Sequence, residues 1–194
     1  VEFTMPGVSK SSAYRTEVAD AAAEAVLLAV ARFTTGRYRP VPLDYGRTDV
    51  TGACRPPCRQ SDRTIDWAAE TTEAILPRLR AADSTPGVLD LIGDTEYYLF
   101  GGHPEDELRG RPGTILARRD GAICRATADG AIWIPQLRRR PAPGGPKTFK
   151  LPATLALHGE LDGIPEVPTP LTPPPGGRTY RQISYRESCG IGYL

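Results

Sequence analysis

The densest charge in the sequence is a basic cluster toward its end: Arg138, Arg139 and Arg140 in one run, then Lys147 and Lys150. An arginine fork presents paired N–H donors to phosphate oxygens, and a lysine adds a point charge. Docking of phosphates is therefore the chemistry these five residues could perform. The same cluster also reads as a solvated stretch of linker, and both readings stand at this point. Other reactive groups are sparse. His103 and His158 are the only histidines, one beside Pro104 and the other beside Gly159. No Ser or Cys sits in a nucleophile elbow, and no glycine loop that could cradle phosphate precedes a helix. No catalytic residue is assigned. Asp44, Asp49, Asp62 and Asp66 lie close in sequence, but carboxylates in a connector ordinarily cap helices or pair with arginine. Among the four cysteines, Cys54, Cys58, Cys124 and Cys189, the first two are separated by Arg55-Pro56-Pro57. That is not a zinc pair, and no second pair completes a site, so no metal is expected.

These residues need elements to position them. A chain of 194 residues is long enough for one domain with flanking segments. Its 24 basic and 23 acidic residues nearly balance, which leaves no global field to draw in nucleic acid or an anionic membrane. The longest apolar run, Ala25 to Ala31, is far short of the roughly 18 residues that span a bilayer. No secretory signal is visible, so a cytoplasmic location with reduced cysteines is expected. From Ser11 to Phe33 the alanine-rich sequence predicts one helix, capped by Ser11 or Ser12 and stopped at Gly36. Residues 37–60 read as an irregular connector. Asp66 is expected to cap a second helix whose buried face is Ala68, Ala69, Thr72, Ile75, Leu76 and Leu79, with Pro77 kinking or ending it.

After Pro86-Gly87 come five short β-branched and aromatic segments: VLDLI, TEYYLF, GTILARR, GAICRAT and AIWIPQL. Gly93-Asp94, Asp120-Gly121 and Asp129-Gly130 punctuate them as tight turns. The expected fold is α+β: two helices with a small five-stranded OB-like β-barrel and a proline-rich carboxy-terminal linker. A last strand is predicted at Arg178 to Arg186. The start at Val1 and the end in Gly-Ile-Gly-Tyr-Leu are expected to be cuts in a longer chain.

Ile65-Asp66-Trp67, Arg80-Ala81-Ala82-Asp83 leading to Pro86-Gly87, GAICRAT and FKLPAT stand here in the order found in one family. Together they resemble the formyltransferase family, and more closely the formyltransferase-like half of HypX/HoxX-type hydrogenase-maturation proteins. The resemblance covers nearly the whole chain. It implies that residues 1–36 hold the terminal helix of an upstream formyltransferase domain and residues 37–60 a connector. Residues 61–140 would be the OB-like carboxy-terminal subdomain, and 141–194 a linker with the first strand of a crotonase-like domain. The family takes formyl from 10-formyltetrahydrofolate and handles formyl-coenzyme A, releasing carbon monoxide for nickel–iron hydrogenase maturation. The two catalytic domains are thereby implied as partners, and 10-formyltetrahydrofolate and coenzyme A as cofactors of the parent enzyme. The family's catalytic motifs have no matching position here, so the resemblance implies an orienting segment. It also gives the five basic residues a ligand, the phosphates of coenzyme A. Two alternatives stay open: a nucleic-acid-binding module, whose stacking candidates would be Tyr97, Tyr98 and Trp133, and a free-standing scaffold protein.

Overall fold

The computed structural model describes residues 1–168 except 6, 43, 45 and 49–54, together with the backbone of 186–188 and 191–193. The predicted first helix is two. α1 (Lys10–Arg15) and α2 (Glu17–Thr34) meet at Thr16, whose φ of −112° and ψ of −91° leave the helical region. The Thr16 hydroxyl donates to the Ser12 carbonyl at 2.9 Å, a local bond of the kind that competes with a continuous helix. Ser9, rather than Ser11 or Ser12, caps α1 by accepting from the Ser12 N–H. Gly36, at φ +66°, closes the end of α2 as expected.

Asp66 caps only an isolated turn, accepting from the backbone of Ala68 and Ala69. The second helix, α3 (Thr72–Ala81), starts later because Thr71 takes the cap, accepting from Ala74 N–H. Ala68 and Ala69 are consequently exposed, whereas Ile75, Leu76 and Leu79 are buried as predicted. Pro77 sits inside α3 on its solvent side without ending it.

All five predicted segments form strands, but not one barrel. β1 (Val88–Ile92), β2 (Thr95–Phe100), β3 (His103–Glu105), β4 (Ile115–Arg119), β5 (Ala122–Ala126), β6 (Ala131–Ile134), β7 (Gln136–Arg139) and β8 (Leu151–Pro152) follow in order. They make two four-stranded antiparallel sheets, β1-β2-β7-β8 and β3-β6-β5-β4, instead of a closed five-stranded cylinder. The reason lies at two corners. Pro135 has no N–H for a ladder and splits AIWIPQL, sending β6 and β7 to different sheets. Gly101, at φ +74°, turns the chain between β2 and β3, and a Cβ there would lie 2.9 Å from Pro135 Cγ. The two corners touch and lock the sheets at an angle. Of the predicted turns, Asp120-Gly121 is the tightest fit: both residues have positive φ (47° and 83°) in a two-residue hairpin.

The core lies between the sheets and under α3, where Ile75, Leu79, Val88, Leu99, Ile132 and Leu137 are fully buried. The segment read as linker does more than connect. α4 (Ala153–Ala156) follows β8, and Ala153, Leu157 and Leu161 join the same core. Tyr97 Oη holds that segment in place by donating to Glu160 Oε1 at 3.2 Å. Of the predicted last strand only Arg186 is described. It opens β9 (Arg186–Ser188), paired with β10 (Ile191–Tyr193), and the rest lies outside the described residues.

Candidate functional site

Three motifs singled out in the sequence meet inside the fold. Asp90 on β1 accepts the Trp67 indole N–H at 2.7 Å and the Arg125 Nη1 at 2.6 Å. Arg125, 8% exposed, also donates to the Gly113 and Leu91 carbonyls and lies 4.4 Å from the Trp67 ring centroid. Trp67 comes from the Ile65-Asp66-Trp67 motif, Arg125 from GAICRAT and Asp90 from the strand after Pro86-Gly87. Each of the three guanidinium nitrogens of Arg125 makes a hydrogen bond, so this is a paired buried charge that clasps one sheet to the other.

A second cluster sits on β3, β4, β5 and β6. Glu105 accepts the Trp133 indole N–H at 2.5 Å and the backbone N–H groups of Glu107 and Leu108. Burial works against its charge. The Glu107 N–H, the Trp133 and Leu108 donors and the nearby Arg119 outweigh it and hold the carboxyl below its usual range. Arg119 stacks on Trp133 with 4.2 Å to the centroid. Beneath them Cys124 is fully buried, and burial with the Glu105 charge pushes its thiol up to about 12. Such a thiol is inert at neutral pH. Cys58 is exposed and free, whereas Asp49, Cys54 and Cys189 lie outside the described residues. Asp44 and Asp62 do the capping work expected of them, accepting from Gly46 N–H and Arg59 N–H. Of the stacking candidates, Tyr97 and Trp133 are buried (2% and 6% exposed), and Tyr98 is covered by Arg138 at 4.7 Å.

The five basic residues do not form one patch. Strand alternation sends Arg138 and Arg139 to opposite faces of β7. Arg138 and Lys150 converge on the buried Phe100 ring, Lys150 Nζ at 4.0 Å and the Arg138 guanidinium at 5.8 Å. Lys150 donates to the Asp83 carbonyl at 3.1 Å and Arg138 Nη2 to the Pro86 carbonyl at 3.4 Å. Burial and the Arg138 charge draw the Lys150 ammonium below its usual value, with Asp83 opposing them. Arg140 is held elsewhere, its Nη1 within 3.0 Å of both Glu96 carboxylate oxygens. Arg139 and Lys147 are exposed.

Asp83, at the end of the Arg80-Ala81-Ala82-Asp83 motif, takes a second set of contacts. It accepts from the backbone N–H and the hydroxyl of Ser11 on α1. Gly87 passes close behind, and a Cβ there would stand 2.8 Å from Phe100 Cζ at a φ of +86°. The motif residues are thus positioned by what they must hold: a sheet clasp, a helix tether and a close approach to Phe100.

Residues 57–144 match the formyl transferase C-terminal domain. Over 192 residues the chain is 39% identical to the hydrogenase maturation factor HoxX of Bradyrhizobium diazoefficiens, covering 99% of this chain and 31% of that one. The chain carries a formyl transferase C-terminal domain and resembles the HypX/HoxX hydrogenase maturation proteins. In structure it is similar to HypX from Aquifex aeolicus in complex with tetrahydrofolic acid. The TM-score is 0.83 at 36% identity, over 98% of this chain and 32% of that one. A methionyl-tRNA formyltransferase of Variovorax paradoxus is 35% identical over 83 residues, 42% of this chain and 25% of that protein. The chain therefore spans about a third of the length of the HoxX and HypX relatives it matches. No helix among the described residues is long and apolar enough to cross a membrane.

Within this formyl transferase domain, sequence reasoning missed the Asp90–Arg125 pair, the Glu105–Trp133 pair and the contact of Asp83 with Ser11. Each joins residues far apart in sequence, by 35, 28 and 72 positions. The usable signal was indirect: a carboxylate and an arginine placed among apolar strand residues need a partner if they are buried.

Proposed function

We propose that this chain is the orienting segment of a multidomain formyl-transfer enzyme of hydrogenase maturation. One catalytic half takes formyl from 10-formyltetrahydrofolate, and the other, crotonase-like, half handles formyl-coenzyme A and releases carbon monoxide. The chain itself contributes no reacting group. It contributes geometry, which can govern rate when two sites must share an intermediate. The observation that carries this reading is α2. The helix has 18 residues, none buried, and it exposes Val26, Leu27, Val30 and Phe33 by more than half. A helix whose middle turns, from Ala25 to Ala31, are apolar on every side and exposed is made to be covered there. In this reading a preceding domain of the whole enzyme is the cover, in keeping with HoxX and HypX relatives about three times as long as this chain. A free-standing scaffold would leave this surface in water.

The basic residues keep a narrower role in the same proposal, as partners for coenzyme A phosphates. Arg139 and Lys147 are exposed and retain donors for an anion, whereas the unpartnered Nε of Arg138 is buried. Arg140 and Lys150 are already engaged by Glu96 and Asp83. In the whole enzyme, alanine at Arg138, Arg139 and Arg140 together weakens coenzyme A binding, and unchanged affinity removes the role. The larger reading is tested by immunoblot of source cells with an antibody to this chain. A band near the size of a formyltransferase fused to a second catalytic half supports it, and carbon monoxide release is then assayed on that protein. A band near 21 kDa ends it.

A further inference from the structure

The loop from Ala82 to Gly87 touches the chain that arrives at the domain and the chain that leaves it. On the arriving side Asp83 accepts the Ser11 N–H at 3.2 Å through Oδ2, and the Ser11 hydroxyl as well. Lys10 Nζ donates to the Thr85 carbonyl at 3.4 Å, and Arg80 Nη1 to the Gly7 carbonyl at 3.3 Å. Ala13, on the next turn of α1, is 4% exposed. On the departing side Lys150 and Arg138 grip the carbonyls of Asp83 and Pro86. Four donors from two distant segments therefore fasten onto one short loop, and the loop itself is braced by Gln60, whose Nε2 donates to the Gly87 carbonyl.

What is held matters as much as how. The tether ends at α1. Among the described residues none of α2 is buried, which leaves its direction to be set mainly by the α1 contact and the Thr16 joint. A further fixing point lies at the far exit. Pro165 to Val167 run beside β4, with Arg118 N–H to Pro165 O and Val167 N–H to Arg118 O both at 2.9 Å. Glu166 adds an ion pair to Arg118 at 3.2 Å. Residues 10–13 and 165–167 are therefore each fastened to the domain.

We infer that the Ala82–Gly87 loop is the joint that sets the direction of α2, and that Asp83 is its positioning residue. This rests on the orienting function proposed above and names the contact through which it acts. Removing the Asp83 carboxylate should release α1 without disturbing the sheets, since among the described residues the hydrogen bonds it accepts come from α1 and its cap.

The test uses the whole 194-residue chain. In the wild type, residual dipolar couplings from α2 and from both sheets should fit one alignment tensor. In Asp83→Ala the α1 and α2 couplings should shrink while those of the sheets stay unchanged. Exchange of the Ser11 amide should quicken by roughly ten- to a hundredfold, the equivalent of one charge-assisted hydrogen bond. Asp83→Asn keeps an acceptor oxygen and should restore part of the coupling. Ser11→Ala works from the other side of the contact, should weaken the tether partly, and serves if Asp83→Ala fails to fold. Couplings equal to wild type in Asp83→Ala, or α2 already independent in the wild type, would overturn the inference. These readouts need no catalytic partner, so they can fail while the immunoblot still supports the larger reading, and the reverse.

Discussion

The β-domain and helix α2 obey opposite rules in one chain. In the domain, the apolar side chains of α3, β1, β2, β6 and β7 close around a core, and even the buried charge of Arg125 has its partner. In α2, seven consecutive apolar residues from Ala25 to Ala31 all face solvent. Composition does not explain the difference, since both regions are rich in aliphatic residues. Period does. Strands that alternate and a helix with one apolar stripe can close a core among themselves, whereas a helix with two turns apolar all round needs cover there on several sides. The domain is shaped to fold by itself, and α2 is shaped to be packed by something else.

The largest expected effect breaks the domain side of this contrast. Arg125→Ala leaves the half-buried Asp90 with only the Trp67 indole and the Leu91 N–H, and should cost about 3–5 kcal/mol of stability in urea unfolding. A loss under about 1 kcal/mol would mean that water replaces the arginine, and that the clasp does not join the sheets.

Next comes a matched pair of truncations that compares the two regions directly. Leu79→Ala removes a fully buried side chain and should destabilise by about 2–5 kcal/mol. Leu27→Ala removes the same atoms from a residue 69% exposed and should change stability by no more than about 0.5 kcal/mol. Similar values for both would show that α2 is covered in solution, by another copy or by its own chain, and would erase the contrast. Replacing Leu27 and Val30 with lysine should lower self-association measured by sedimentation, again without unfolding the domain.

Much of the domain was legible in the sequence, because β-branched runs and Asp-Gly turns report local geometry. What escaped depended on non-local partners. β3 is three residues of His-Pro-Glu with no apolar alternation, and it is a strand only because β6 lies beside it. Residues 151–164 sit among prolines and glycines, yet Leu157 and Leu161 are buried in the main core, which no local pattern announces. The helix break at Thr16 turns on one hydroxyl choosing the Ser12 carbonyl. The spread of the basic residues has a simpler reason: side chains that are neighbours in a strand are not neighbours in space. Arg138 belongs with Lys150, twelve positions away, and not with Arg139.

A smaller effect is expected where the two regions come nearest. Gly87→Ala forces a Cβ to 2.8 Å from Phe100 Cζ and 3.0 Å from the Leu99 carbonyl, at a φ of +86°. The strain should cost about 1–3 kcal/mol. It should also loosen Lys150 and Arg138, which face the same ring, visible as faster exchange across 148–152. A neutral outcome would mean that the Phe100 ring moves aside freely, and that the loop is held by its hydrogen bonds alone.

The smallest effect is a pH dependence confined to the tether. Burial raises the Asp83 pKa, but the Ser11 and Ser9 hydroxyls, the Ser11 N–H and the Lys10 charge outweigh it, leaving the carboxyl below its ordinary 3.8. Lys150, whose own pKa reflects the Asp83 charge, faces it from the departing segment. A carboxylate with a depressed folded pKa stabilises fully above its unfolded value and loses that contribution as pH falls through the folded one. The tether should therefore be constant from neutrality down to about pH 5 and weaken below 3.8. Because Asp83 is partly exposed, the change should register as faster exchange of the Ser11 amide and not as global unfolding. Asp129, held low chiefly by the Thr72 N–H, acts on α3 instead and leaves α1 untouched. Loosening of α1 that begins near pH 6 would point away from Asp83 to another group, and the contact joining the two regions would have to be sought elsewhere.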